Sequence, residues 1–219
     1  ILKGNGSSWS PETSNSTADL QGVWGVDPLN RWAVGAGSQL LKWDAVTSQW
    51  NIQPSASTAY LTGVWGSDAN NIWAVGDFGT ILKGNGTTWT VQSSSVAAAR
   101  LNRVWSFDST NVWAVGDSGT VVRCGPAAGS CTGLNSKTTA SLRSLWGSDA
   151  NTVYGVGYGG ALVRCSSAAS DCLPLPSGTT ASRGASIGSL TAAWGDRDNL
   201  YTVGEYLSLI HISEPTRPY

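Results

Sequence analysis

The residues best placed to do chemistry are four cysteines in two equally spaced pairs. Cys124 and Cys131 are seven positions apart, and so are Cys165 and Cys172. Such a pair can close a disulfide, contribute to a metal site or stay reduced. The spacing is not the CxxC of a zinc site, and the pairs recur one per repeat, which favours disulfides over zinc or free thiols. Trp43 and Trp50 are also seven apart and occupy the same place in their repeat. The interval therefore reads as a cross-strand rung beside a hairpin, filled once by Trp–Trp and twice by Cys–Cys. Facing strand positions hold Cβ atoms about 4.5–5.5 Å apart, close enough for a disulfide after a small adjustment. Disulfides imply an extracytoplasmic compartment: periplasm, cell surface or exterior.

Three other sets of residues recur with the repeat. Asp27, Asp68, Asp108 and Asp149 follow a tryptophan by three positions, and in the last copy Asp196 or Asp198 follows Trp194 by two or four. They make either a ring of carboxylates for calcium or a turn cap in each repeat, and the turn cap is favoured because every copy needs the turn. Lys3, Lys42, Lys83, Arg123 and Arg164 form a second series. A cationic ring for anions is one reading; a solvated face with the stem against an aromatic neighbour is the favoured one. The repeated Trp/Tyr pairs read as core. Trp9, Trp43 and Trp50, less regular and near outer hairpins, are the candidates for ligand contact.

No catalytic constellation is present. The chain has no HExxH, no GxSxG, no P-loop and no Cys–His pair, and its only histidine, His211, lies in an anomalous tail. The charges outside the repeat, Arg103 and Arg143 among them, are few. The expectation is a non-enzymatic chain without metal or cofactor.

The elements that must position these residues repeat along the chain. The tryptophans Trp24, Trp65, Trp105, Trp146 and Trp194 are separated by 41, 40, 41 and 48 residues. A second aromatic follows each: Trp32, Trp73, Trp113, Tyr154 and Tyr201, and a glycine closes each run at Gly35, Gly76, Gly116, Gly157 and Gly204. A period near 40 residues with four strands per period is a propeller-blade pattern. Leu61–Gln92 shows it most clearly: β-branched and aromatic runs separated by Asp68-Ala-Asn-Asn71, Asp77-Phe-Gly79 and Gly84-Asn-Gly86. No window has a capped helical period.

The fold predicted is all-β: a β-propeller with complete blades over Leu20–Gln53, Leu61–Gln92, Leu101–Leu134 and Leu142–Leu173. Ile1–Pro11 supplies a leading half and Leu190–Tyr206 a trailing half, and the two halves together could close a five-bladed ring. The link from Pro174 to Ser189 reads as a surface loop. Residues 1–206 form the propeller, and residues 207–219 match nothing upstream. That tail looks like a translated sequencing adapter, so it is expected to be non-native and the chain a fragment of a longer reading frame.

Composition narrows the function. Only 12% of the residues are charged, with a formal net charge of −1 and no basic patch, which argues against nucleic acid. No apolar run is long enough to span a membrane. Twelve tryptophans and no methionine leave the aromatic rings to carry much of the core.

The pieces Trp73-Ala-Val-Gly76, Gly79-Thr-Ile-Leu82 and Gly86-Thr-Thr-Trp89, recurring at Trp32, Trp113 and Ile1–Trp9, resemble the BNR/Asp-box class of β-propellers. Within it they are similar to exported bacterial repeats of the photosystem II stability/assembly factor type. Asn85 stands where that class often has Asp, and sialidase-type catalytic residues do not map onto the chain. The resemblance implies a propeller scaffold for protein–protein interaction or assembly. The alternatives are a carbohydrate-binding propeller and a non-catalytic remnant of a glycoside hydrolase.

Overall fold

A computed structural model describes residues 1–125, 130–177, 188–196 and 199–205, and the backbone alone of 207–213. Most of the Pro174–Ser189 link, Asp198, and the tail's side chains and last six residues lie outside the described residues. The architecture is all-β and built of successive antiparallel sheets. A leading pair, Leu2–Gly4 with Trp9–Pro11, forms a two-stranded sheet. Blade I has strands Leu20–Gly25, Arg31–Gly35, Leu40–Asp44 and Gln49–Ile52. Blade II has Leu61–Asp68, Asn71–Gly76, Ile81–Gly84 and Trp89–Val91; blade III has Leu101–Ser106, Val112–Gly116, Val121–Cys124 and Ser130–Leu134. Blade IV has Leu142–Asp149, Thr152–Gly157, Leu162–Ser166 and Leu173–Pro174. Blade III gains a fifth strand, Ser93–Ser94, which pairs in parallel with its outermost strand. The trailing sheet holds Leu190–Gly195, Asn199–Gly204 and the backbone of Leu207–Ser213.

The core lies between sheets, one layer per junction. Trp32, Val34 and Leu40 of blade I meet Leu61, Val64, Ile72, Ala74, Leu82 and Trp89 of blade II. The same positions recur at the II–III and III–IV junctions. Each blade buries one apolar face forward and one backward, so blades stack because neither face is satisfied alone.

The first strand of each blade packs on the first strand of the next, and tryptophan-on-glycine contacts fix the spacing. A Cβ built on Gly66 would stand 2.6 Å from Cη2 of Trp24 in the preceding blade. Trp105 lies on Gly147 and Trp146 on Gly195 in the same way. At the II–III junction the glycine is replaced by Ser106. Trp65 there donates from Nε1 to the Ser106 carbonyl at 3.1 Å and stays partly exposed.

The cross-strand rung next to the outer hairpin is filled in three ways. Cys124 faces Cys131 and Trp43 faces Trp50 in register, and both cysteine pairs are disulfides. In blade II and the leading pair the rung is Gly84 opposite Trp89 and Gly4 opposite Trp9, with the indole lying over the glycine. These hairpins are two residues shorter, so the seven-residue interval does not reveal them.

The expected closure into a five-bladed ring is not formed. The leading pair and the trailing sheet are separate sheets, and the outer edge of Asn199–Gly204 is taken by Leu207–Ser213. The edge that the leading pair would need is therefore occupied. The leading pair instead covers the outer part of blade I, where Ile1 packs with Leu20, Trp43 and Trp50.

Candidate functional site

The first strand of each copy carries an irregularity one residue after its leucine, between Leu20/Gly22, Leu61/Gly63, Leu101/Arg103, Leu142/Ser144 and Leu190/Ala192. Such bulges re-aim side chains and are common beside functional sites. The bulged residues of blades II and III tie neighbouring first strands together: Thr62 Oγ1 donates to the Leu101 carbonyl, and Asn102 Nδ2 to the Leu142 carbonyl at 2.8 Å. Blade IV departs from this with Arg143. Its guanidinium lies over the Tyr158 ring, 4.5 Å from the centroid, and Nη2 donates to the Tyr158 hydroxyl.

Next to it stands Arg103, where the other copies have Gly22, Gly63, Ser144 and Ala192. Arg103 Nη1 donates to the carbonyls of Thr62 at 3.2 Å and Asn102 at 3.0 Å. Burial lowers its pKa from the ordinary arginine value, and the neighbouring Arg143 charge lowers it further. Neither arginine has a carboxylate partner among the described residues; the ion pairs there join Glu12 to Lys3 and Arg31, Arg100 to Asp77, and Lys137 to Asp171. A guanidinium's planar fork is the donor geometry that suits a carboxylate, and no acid occupies either fork among the described residues.

The turn after the second strand flanks these arginines, because each such turn packs on the first strand of the following blade. Its second residue is left-handed in every blade: Gly37, Phe78, Ser118 and Gly159, with φ between 54° and 63°. Phe78, on the turn against the strand bearing Arg103, is 74% exposed. A bulky residue in this conformation costs about 1–2 kcal/mol, and an exposed ring recovers nothing by packing.

The predicted ligand tryptophans lie on the leading pair and the outer hairpin of blade I, not with these arginines. Trp9 is widely exposed on the leading pair. Trp43 is half-buried beneath Arg31, whose guanidinium sits 4.0 Å from its ring centroid. Trp50 corrects the expectation: it is 1% exposed, and its Nε1 donates to Glu12 Oε2 at 2.9 Å. The leading pair covers it, so Trp50 is core and does not present its ring.

The recurring charges have structural partners. Lys42, Lys83 and Arg123 lie 5.2–5.7 Å from the centroids of Trp32, Trp73 and Trp113. Lys42 and Arg123 also donate to carbonyls of the next blade, Gly86 at 2.7 Å and Ser167 at 3.2 Å. The aspartates cap their turns: Asp108 accepts from the amides of Thr110 and Asn111 and from Asn111 Nδ2. Asn85 does the same for the outer hairpin, accepting from the amides of Thr87 and Thr88.

Burial opposes the charge on Asp108, but the hydrogen bonds from Asn111 and Thr110 outweigh it and hold the carboxyl below its ordinary pKa. A depressed folded pKa adds stability that is present above the unfolded value, about 3.9, and is lost as pH falls through the folded value. Asp108→Ala is expected to lower stability at neutral pH by about 1 kcal/mol or less. The gap from wild type should close as pH falls below about 4, measured by urea unfolding at both pH values. A gap of equal size in acid would show that the carboxylate is not the cap.

In the sequence Arg103 and Arg143 stand out only as separate charges outside the repeat, and Phe78 and Tyr158 do not stand out at all. The usable signal was departure from the repeat at bulge and turn positions.

No family model matches the chain, and no curated protein matches it. Solved structures do. A structure titled "YCF48 bound to D1 peptide" aligns over 89% of this chain and 62% of its own, with a TM-score of 0.64 and 14% identity. YCF48 from Cyanidioschyzon merolae aligns over 93% of this chain and 69% of its own, with a TM-score of 0.66 and 13% identity. The chain thus spans less than two thirds of the first of these. At such identities the likeness is one of fold, and it agrees with the stacked sheets: this chain is a β-propeller of four-stranded blades.

Proposed function

We propose that the chain is a non-enzymatic, exported propeller scaffold that holds a protein partner by an acidic or carboxylate-ended peptide segment. The observation that carries this reading is that Arg103 and Arg143, on the packed first strands of blades III and IV, have no carboxylate partner among the described residues, with the exposed Phe78 on the turn against the Arg103 strand. One structural neighbour is described as bound to a peptide, which supports the same kind of partner. The paired cysteines support export.

A carbohydrate-binding reading has one observation in its favour. A cleft of about 360 Å³ beside Trp43 is lined by Asn30, Lys42, Asp44, Asn51 and Gln53, an aromatic face among polar groups.

The test is an array of acidic peptides with free or amidated C-termini, followed by anisotropy titration of the strongest binders. Arg103→Ala and Arg143→Ala are each expected to weaken binding about tenfold or more, the worth of a charged hydrogen bond. Phe78→Gly should raise stability by about 1 kcal/mol and weaken the same peptides. Unchanged dissociation constants in both arginine variants would sink the reading, and specific glycan-array binding lost with Trp43→Ala would favour the alternative.

A further inference from the structure

The fourth strand of a blade has one outer edge, and in three blades the link that precedes the blade lies against it. In blade I, Trp50 donates its amide to the Thr13 carbonyl at 3.0 Å, and its carbonyl accepts from the Asn15 amide at 3.1 Å. In blade III, Ser93–Ser94 pairs in parallel with Ser130 and Cys131, and the Cys131 carbonyl accepts from the Ser95 amide at 3.2 Å. In blade IV the Cys172 amide donates to the Asn135 carbonyl at 2.8 Å. Trp50, Cys131 and Cys172 all fill the rung beside the outer hairpin, so the same position turns its backbone groups outward each time.

Blade II, in the interior of the series, is different. Its rung residue is Trp89, opposite Gly84. Gln92 donates inward to the Ile81 carbonyl, and Thr88 accepts inward from Asn85. The alternation of an antiparallel ladder therefore aims the amides and carbonyls of Trp89 and Val91 outward. No strand pairs with that outer edge among the described residues, and Val91 is 56% exposed. The link before blade II keeps the serine staple of the others: Ser57 donates its amide to Ser55 Oγ at 3.2 Å, as Ser16 does to Ser14 and Val96 to Ser94. It departs one residue earlier. Pro54 stands where the other links have Thr13, Ser93 and Asn135. Its ring fixes φ near −65°, away from the extended value of a strand, so the link does not run along the edge.

We propose that the Trp89–Val91 edge is a docking site for an extended, uncharged, Ser/Thr-rich segment of a partner protein, which pairs there in parallel as the chain's own links do in the other blades. Those links show the chemistry that fits. Thr13-Ser14-Asn15, Ser93-Ser94-Ser95 and Asn135-Ser136 are small and polar, with neither proline nor charge. In strand addition the main chain supplies the hydrogen bonds and side chains select the segment. Blade III shows one selecting contact: Ser95 Oγ accepts at 2.8 Å from the amide of Gly133, the counterpart of Val91. The edge belongs to the outermost strand of blade II, whereas Arg103 and Arg143 lie on first strands, so this site does not rest on the arginine reading.

The probe is a peptide with the sequence of residues 90–96, capped at both ends, titrated into isotope-labelled protein while backbone amide shifts are followed. It carries no charge, so the arginines have nothing to recognise. The Trp89 and Val91 amides are expected to shift and saturate together. Val91→Pro removes an outward donor and should weaken binding at least tenfold. The leading pair and blade IV already carry Pro11 and Pro174 at this place, so the inner ladder tolerates the change. Pro54→Ser should seat the link on its own edge. Without peptide the Trp89 amide should then exchange at least tenfold more slowly, and the peptide should bind at least tenfold more weakly. No shift at millimolar peptide, shifts confined to other blades, or a wild-type Trp89 amide as protected as those of Trp50 and Cys172 would overturn the site. Light scattering covers the other occupant: association of wild-type copies that Val91→Pro abolishes would mean that the edge pairs with a second copy, and would overturn the partner segment.

Discussion

Gly116→Ala is expected to cost about 3 kcal/mol, lowering the melting temperature by roughly 6–12 °C. The cause is a backbone joint made five times. The amide after the closing glycine of each second strand donates to the carbonyl just before the first strand of its own blade. Asp117 donates to Arg100 at 2.9 Å, and Ala36, Asp77, Tyr158 and Glu205 donate to Asp19, Tyr60, Ser141 and Ser189 at 2.9–3.0 Å. To reach that amide the carbonyl oxygen passes over the glycine Cα. A methyl there would fall well inside contact distance of the Arg100 oxygen, and the same holds at Gly35, Gly76, Gly157 and Gly204. The obstacle is backbone, so no rotamer change relieves it. Moving it would break the joint and shift the first strand, on which the bulge, Arg103 and the next blade depend. Gly125→Ala is the control, because a Cβ there meets nothing within 4 Å and should leave melting unchanged. If both variants melt with wild type, the joint does not organise the blade.

What the sequence made legible follows from what repeats. The Trp–Trp and Trp–Tyr rungs, the aspartate turns and the cysteine pairs recur, so spacing alone separates strand from turn and one blade from the next. Contacts between blades were harder to read, because their partners lie about 40 positions apart and depend on which face each residue takes. Nothing local marks Ser106 as the place where Trp65 loses its glycine seat, or Trp50 as covered by the leading pair. Closure into five failed for a related reason. Counting strands says that two halves make a blade, but it does not say what else competes for the shared edge, and Leu207–Ser213 takes it. The pairing of Arg103 with Arg143 is least legible. Arg103 and Arg143 are 40 apart and one step out of register, and only the bulge and the stacking of neighbouring first strands bring their charges together.

Loss of both disulfides is expected to be the most damaging change that leaves every blade's apolar content intact. Each bridge closes a short hairpin loop, worth roughly 2.5 kcal/mol by chain entropy, so the pair contributes about 5 kcal/mol. That is a large share of the roughly 5–15 kcal/mol that keeps a domain folded. The loss is localised by the rung each bridge fills. Cys124 and Cys131 sit in the core between blades II and III, and Cys165 and Cys172 in the core between III and IV, all at most 4% exposed. Blade I fills the same rung with Trp43 and Trp50 and blade II with Trp89 over Gly84, so neither depends on redox state. Hydrogen exchange in reductant should therefore rise first in the outer strands of blades III and IV, with blades I and II protected longer. Cys124→Ala with Cys131→Ala, and the matching pair in blade IV, should each lower stability by about half the total. If reduced and oxidised protein melt together, the bridges are incidental to the fold. The fold would then not require an oxidising compartment.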